Sequence, residues 1–362
     1  RSLSWFKARS TQLNQEKHMY MYTQGHSRLI SVGAHIPEDK VTSHDLLQAI
    51  DTENRFGLSN NWLERATGIK ERRAAPTDML PSDMATRAAQ EALESAGLSP
   101  SDIDVVIFAG MDRDYLVEPA TAHVVQDKIG ARNAITFDVS NACHGFMNGI
   151  HLVDALIATG QVRRGLVVAG EMGSKHARKA MKALQQVTDR DTFIKLAVGL
   201  TLGDAGAAII LGPKLEPETG FMGFMLQSRG QYSTLCNCGK RGEESPLEAD
   251  MPAIIDEGIA MLGGMYGVFM QRLGWQPEEI AKFLHHQVGL RIFKRHATYA
   301  KIATSIMPDT VSTMGNLITA NIPLGLYNIM NSKEIKNGEK VFISGAGSGL
   351  SISQAGLIWD AA

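Results

Sequence analysis

The stretch Gly97-Leu98-Ser99-Pro100-Ser101-Asp102-Ile103 has a counterpart in Gly274-Trp275-Gln276-Pro277-Glu278-Glu279-Ile280, 177 residues later (274 − 97). Each glycine closes a helical run, Ala85–Ala96 in the first case, and a strand-like apolar run follows, Asp104–Ala109 or Phe283–His286. Glycine suits a helix end because it adopts the left-handed conformation there without a Cβ clash. A second match sets Gly165-Leu-Val-Val-Ala-Gly170 against Lys340-Val-Phe-Ile-Ser-Gly345, at an offset of 175 (345 − 170). Two matches at nearly one offset predict a duplicated α/β half, the halves meeting near residues 205–220. The runs Leu166–Ala169, Ala207–Leu211 and Val341–Ser344 alternate with helical stretches and read as short strands of a buried, parallel sheet.

The 362 residues include 36 basic and 38 acidic side chains, a net charge of −2, and 44% hydrophobic residues. That apolar content excludes intrinsic disorder, and the charge balance argues against a nucleic-acid partner, which needs an excess of Lys and Arg. Three cysteines do not make a disulfide framework, so a reducing, cytoplasmic setting is expected. The apolar stretch from Ala197 to Gly212 is broken by Gly199, Gly203, Asp204 and Gly206, and no membrane span is expected. Residues 1–26 begin with a basic stretch and are set aside as a leader or appended tail. Residues 27–212 and 213–362 form the two halves.

Four segments can carry chemistry. Cys143 lies in Phe137-Asp-Val-Ser-Asn-Ala-Cys-His-Gly-Phe-Met-Asn-Gly-Ile150, where a strand-like run meets a helix predicted over Gly145–Ala158. A thiol at a helix start feels the positive end of the macrodipole, which lowers its pKa. The segment fits a nucleophile or a buried structural thiol. In Phe283-Leu-His-His-Gln287, strand alternation sends His285 and His286 to opposite faces, against a shared metal. Cys236 and Cys238 lack a second ligand pair at zinc spacing, so no metal is assigned. Gly315-Asn316 forms a polar turn before a helical run. Gly345-Ala-Gly-Ser-Gly-Leu350 lacks the helix, strand and acidic residue of a dinucleotide fingerprint, and fits a turn offering backbone N–H groups to an oxyanion.

Together these residues resemble the β-ketoacyl-acyl-carrier-protein synthase III family of the thiolase superfamily, from about Ile30 to Trp359. Asn141-Ala-Cys-His-Gly-Phe146 resembles its nucleophile turn, His286-Gln287 its His-Gln motif and Gly315-Asn316 its Gly-Asn motif. The resemblance implies a thiolase-like, five-layered α-β-α-β-α sandwich and a catalytic triad of Cys143, His286 and Asn316, with the N–H groups of Cys143 and Ser348 as oxyanion hole. It also implies coenzyme A contacts from Trp62, Arg65 and Arg72, and a homodimer. The segment Leu202-Gly203-Asp204-Ala-Gly206-Ala207 is similar to the family's glycine-rich strand start. There are departures: Ala66 stands where the family has Arg, Val288-Gly289 follows the His-Gln motif, and Ser348 replaces a glycine. Arg113-Asp114-Tyr115-Leu116 and Glu118-Pro119 are similar to enzymes that join two acyl chains head to head in olefin synthesis. There Glu118 would reach across the dimer interface as a second base or pocket residue.

The resemblance implies a ping-pong Claisen condensation. Cys143 takes the acyl group of an acyl-CoA. Malonyl-ACP, or malonyl-CoA, then loses carbon dioxide while His286 and Asn316 hold the enolate. CoA and ACP thioesters serve as substrates, and no metal or redox cofactor is needed. Arg291, Lys294 and Arg295, spaced i, i+3, i+4, would offer an acidic acyl carrier protein a basic helix face. The alternatives are non-decarboxylative joining of two acyl-CoA molecules, a silent subunit of a heteromeric synthase, and a cysteine hydrolase.

Overall fold

The computed structural model describes residues 20–239 and 245–361. The chain begins with β1 (Met21–Gln24), β2 (Ser27–His35), β3 (Lys40–Thr42), α1 (Ser43–Ile50), α2 (Thr52–Phe56) and α3 (Trp62–Thr67). Then come β4 (Glu71–Arg73), α4 (Pro81–Ala96), β5 (Val105–Phe108), α5 (Thr121–Ile129) and β6 (Ile135–Asp138). They are followed by α6 (Gly145–Ala158), β7 (Gly165–Met172), α7 (Gly173–Leu184), α8 (Arg190–Leu196) and β8 (Asp204–Pro213). Next are β9 (Gly220–Tyr232), β10 (Cys236–Asn237), β11 (Glu248–Ala249), α9 (Met251–Leu273) and β12 (Ile280–His285). The chain ends with α10 (Arg291–Ala300), α11 (Val311–Met314), α12 (Asn321–Ser332), β13 (Lys340–Gly347) and β14 (Gly349–Ile358).

The duplication is visible in the two large sheets. One runs β2-β8-β7-β5-β6, the other β1-β9-β14-β13-β12. Matching β2, β8, β7, β5 with β9, β14, β13, β12 gives the same neighbours and the same directions, antiparallel, antiparallel, parallel. Gly97 and Gly274 cap α4 and α9 at φ 62° and 68°, each N–H returning to the last turn of its helix. Both sheets are mixed rather than parallel. The run Ala207–Leu211 lies in β8, antiparallel to β7. A strand buried on both faces is apolar throughout whichever way it runs, so composition did not report its direction.

Strand alternation builds five layers. Val105 and Ile107 of β5 turn inward onto α6 (Phe146, Ile150, Val153) and α12 (Leu324, Leu326, Ile329), which lie between the sheets. Val106 and Phe108 turn outward onto the alanine face of α4 and onto α5. On the far side, α9 and α10 cover the second sheet through Met265, Phe269 and Phe293 against Phe283, Phe342 and Ile352. The fold is thus the thiolase-like α-β-α-β-α sandwich.

One expectation needs correction. The boundary at residue 26 is too late, because Met21–Gln24 pairs antiparallel with Gly223–Leu226 at the edge of the second sheet. A four-residue edge strand is half-buried and carries no apolar run to announce it. Residues 1–19 of the proposed tail lie outside the described residues. The sequence reading did not single out α9, a 23-residue helix that by length and composition alone could cross a membrane. Here it packs on β14, β9 and α10.

Candidate active site

Cys143 sits two residues before α6, and Ala142 immediately ahead of it is held at φ 45°. A non-glycine residue in this region is strained by about 1–3 kcal/mol and persists only where its surroundings enforce it. They do so here. A Cβ at Gly145 would lie 2.5 Å from the Ala109 carbonyl oxygen, and one at Gly347 would lie 2.7 Å from the His144 amide nitrogen. The β13–β14 turn is therefore pressed onto the Asn141–His144 segment, and Ser348 next to it lines the same cavity as Cys143. His144 is buried and secures the turn, its Nε2 on Ser353 Oγ at 2.8 Å and its Nδ1 on Asn148 Oδ1 at 2.9 Å.

The second half supplies the imidazole and the amide. His286 leaves the end of β12, its backbone N–H bonded to Ser344 O at 3.0 Å. Gln287 faces away and anchors the 308–311 turn: its Nε2 donates to Pro308 O and its Oε1 accepts from the Thr310 and Val311 N–H groups. Asn316 is fixed by Thr201 O and Gly203 N on either side of its backbone. Its Oδ1 accepts from the Ile318 N–H and from Asn321 Nδ2, both at 3.0 Å. With the oxygen so held, the Nδ2–H group is the end left for a ligand. Asn321 Nδ2 also donates to Gln287 O at 3.2 Å, which ties the two motifs together.

Cys143, His286, Asn316 and Ser348 line one cavity of about 350 Å³. Met111, Val198, Leu202 and Leu247 form one apolar side of it, and Ile254, Ile259, Leu262, Leu350 and Ile352 the other. A second cavity of about 280 Å³ shares Val198, Met251, Ile255, Val288, Ile292 and Asn316 with the first, and runs outward to Trp62, Thr67 and Arg291. A thioester can thus pass from the surface at Trp62 to the thiol at Cys143.

Electrostatics differ from the sequence expectation at the thiol. Burial pushes the Cys143 pKa up, with Cys236 and Glu171 adding to it, so the resting group is a thiol and not the lowered-pKa thiolate a helix start suggests. Desolvation outweighs the partial charge of the helix end. Burial, with His285 and His144 nearby, lowers His286 to about 3, leaving a neutral imidazole that can donate one N–H. Glu171 was not singled out by sequence. It accepts from Met111 N, Asp112 N and Thr319 Oγ1, and burial followed by Asp112 raises it to about 8. No local motif marks Glu171, Asn321 or His144.

The other expected residues do not gather at one place. Trp62 is half-buried, edge-on to Phe193 with centroids 5.6 Å apart. Arg65 is exposed beside it, and its carbonyl accepts from Arg291 Nη2 at 3.2 Å. Arg72 is corrected. It is only 2% exposed, lies in neither cavity wall, and donates to Val41 O and Ser43 Oγ. Burial, partly offset by Glu71, lowers it to about 10, and Gly203 and Gly315 close over its Cβ, so it props the Asn316 loop. Lys294 is exposed, whereas Arg295 is bound to Asp256 on α9. Glu118 is exposed and absent from both cavity walls. The base of its loop is firm, Arg113 Nε and the Thr121 and Ala122 N–H groups all meeting the Asp138 carboxylate. Among the described residues no group of three His, Cys, Asp or Glu could hold a metal ion.

The 3-oxoacyl-[acyl-carrier-protein] synthase III profile matches residues 137–230, and the C-terminal profile of the same description matches residues 270–359. The β-ketoacyl-[acyl-carrier-protein] synthase III of Laribacter hongkongensis is 28% identical over 336 residues, covering 91% of this chain and 98% of its own. The acyl-CoA:acyl-CoA alkyltransferase of Xanthomonas campestris pv. campestris is 31% identical over 329 residues, covering 88% of this chain and 94% of that one. A crystal structure of a variant of Xanthomonas campestris OleA with bound lauric acid and lauroyl-CoA is 27% identical with a TM-score of 0.86, over 93% of this chain and all of that one. With the strained nucleophile turn, the His-Gln and Gly-Asn motifs and the duplicated sheets, these likenesses place the chain in the β-ketoacyl-acyl-carrier-protein synthase III family of the thiolase superfamily, as a condensing acyltransferase.

Proposed function

We propose that this enzyme joins two acyl-CoA molecules head to head without decarboxylation, Cys143 carrying the first acyl group and Glu118 of a second copy deprotonating the second. The observation that carries this reading is the loop before Glu118, where Leu116 is 98% exposed and Val117 85%. An apolar tip of that kind on a firm base calls for a partner surface, and a homodimer would bury it. Enolisation of an unactivated acyl thioester needs a strong base. Among the described residues of one chain the cavity wall carries two neutral imidazoles, His286 and His296, and no carboxylate, which favours a base supplied by a second copy.

In the first step Cys143 Sγ bonds to the acyl carbon, CoA departs, and the thiol proton goes to its sulfur. The Cys143 and Ser348 N–H groups would hold the oxyanion, each such donor being worth roughly 3–4 kcal/mol. In the second step the Glu118 carboxylate takes the α-proton of another acyl-CoA, whose enolate oxygen sits on His286 and Asn316 Nδ2. The carbanion attacks the acyl carbon and frees Cys143, leaving a β-ketoacyl-CoA. Trp62, Arg65 and Arg291 at the mouth of the second cavity would meet the nucleotide end of coenzyme A. This order reverses the one drawn from the sequence.

The decarboxylative reading, with malonyl-ACP docked by Arg291, Lys294 and Arg295, is favoured by the neutral His286 and Asn316, which need no base when carbon dioxide loss makes the enolate. Incubation with lauroyl-CoA alone distinguishes the two. Two acyl-CoA consumed per β-keto product supports the proposal. Product formed only when malonyl thioester is added, with carbon dioxide released, overturns it.

A further inference from the structure

All three cysteines of the chain lie on the wall of the same cavity. Cys143 and Cys236 are held in apolar surroundings beside Leu202, Leu247 and Ile318. Cys238 is different. Its Sγ lies 3.7 Å from His176 Nδ1, and the opposite ring nitrogen, Nε2, lies 2.8 Å from Asp112 Oδ1. Among the described residues it is the one cysteine whose sulfur has a histidine nitrogen within hydrogen-bond distance. The three groups come from separate parts of the fold: the turn after β10, the first turn of α7, and the loop after β5. His176 is buried, and the second Asp112 oxygen accepts the Met172 N–H at 2.9 Å, so the carboxylate cannot swing away. Cysteine and aspartate occupy opposite edges of the ring, which rules out a shared metal ion and lines up thiol, imidazole and carboxylate as an activated nucleophile does. Burial lowers the His176 pKa, but the Asp112 hydrogen bond outweighs this and, with Cys238, raises it to about 10. Among the described residues, the other titratable groups facing the pair are Glu171, Asp204 and Lys175.

We propose that Cys238 is a second acyl-acceptor thiol of this cavity, taking the acyl group of a long-chain acyl-CoA, with His176 and Asp112 as its positioning residues. The inference rests on the acyl-CoA reading above. The Cys238 sulfur, its proton shared with His176, bonds to the thioester carbon. The carbon–sulfur bond to CoA breaks, and the proton passes from His176 to the departing CoA sulfur. Acyl-Cys238, neutral His176 and free CoA result.

The test is acylation of the full-length protein by lauroyl-CoA, read by peptide mass spectrometry, in wild type, Cys143→Ala and Cys143→Ala/Cys238→Ser. The expected result is acyl mass on the Cys238 peptide of Cys143→Ala and none in the double variant. Acylation of Cys143 in wild type with no acyl-Cys238 in Cys143→Ala overturns this proposal and leaves the condensing reading intact. Acyl mass on neither cysteine overturns both. The rate of Cys238 acylation by lauroyl-CoA in the Cys143→Ala background checks the positioning residues. Adding His176→Ala or Asp112→Asn slows it about tenfold, and free imidazole restores part of the rate lost with His176→Ala. No slowing, or a loss that imidazole does not restore, overturns the role given to His176 and Asp112.

Discussion

Asn321 Nδ2 donates to Asn316 Oδ1 at 3.0 Å and, together with the Ile318 N–H, fixes which end of the Asn316 amide is left for a ligand. The same nitrogen reaches Gln287 O, so one side chain sets the amide and steadies the strand end that carries His286. The proposed enolate site would therefore depend on a residue that lies in neither cavity wall.

Asn321→Ala is expected to lower condensation by about tenfold to a hundredfold, because the Asn316 amide, then held by the Ile318 N–H alone, can more readily turn its oxygen toward the enolate. Acylation of Cys143 by lauroyl-CoA should stay within about twofold of wild type, since that step uses the Cys143 and Ser348 N–H groups. Single-turnover acylation measured beside steady-state product formation separates the two. A parallel fall in both rates would mean that Asn321 supports the fold and not the amide.

Glu118→Gln should leave Cys143 acylation intact and cut the lauroyl-CoA-only condensation by about 10²–10⁴, the usual contribution of a positioned general base. Leu116→Asp places a charge on the exposed loop tip and should shift the protein toward monomer in light scattering. A monomeric Leu116→Asp variant with full activity would detach Glu118 from the chemistry.

Gly347→Ala puts a Cβ 2.7 Å from the His144 amide nitrogen and 2.8 Å from its Cβ. Because the turn and the nucleophile segment are both backbone, neither yields cheaply. The variant should lose about 1–3 kcal/mol of stability in urea unfolding and acylate Cys143 at least tenfold more slowly as Ser348 moves off the thiol. Unchanged acylation would show that Ser348 takes no part in it.

Buried imidazoles predict an acid limb of stability. Burial lowers His144 and His285 to about 4 and His286 to about 3, from an ordinary 6.5. As the pH falls from 6.5 toward 4, the unfolded chain binds protons that the native state refuses, so stability drops over that window. His285 sits against Phe283 and Phe293, stacks on His296 at 4.4 Å, and leaves its Nε2 without a hydrogen-bond partner. His285→Phe removes one such group. It should cost about 1 kcal/mol at pH 8, where the bond from Nδ1 to His286 O is lost. At pH 5 its effect relative to wild type should improve by about 2 kcal/mol. An equal change at both pH values would sink this account.

The amino-acid sequence by itself determined the elements and the nucleophile turn, because these depend on neighbours close along the chain. Glycine at a helix end, a β-branched run after it, and Ala142-Cys143-His144-Gly145 at the start of a helix can all be read locally, and so can their recurrence 177 residues on (274 − 97). His286 and Asn316 were singled out through the family resemblance, whose His-Gln and Gly-Asn motifs are also short local runs. Tertiary structure alone decided which groups surround them and what charge they carry. The family resemblance made Arg72 a ligand contact, but the loops at Gly203 and Gly315 close over it and it is buried. The helix-start thiol is not acidified, since closing the sandwich over it costs the thiolate more solvation than the helix end restores. Glu171 beneath Thr319, Asn321 behind Asn316 and Cys238 against His176 join residues between 5 and 148 positions apart. Such pairings follow from how two sheets and their helices pack. Desolvation and hydrogen-bond direction arise only once that packing has excluded water.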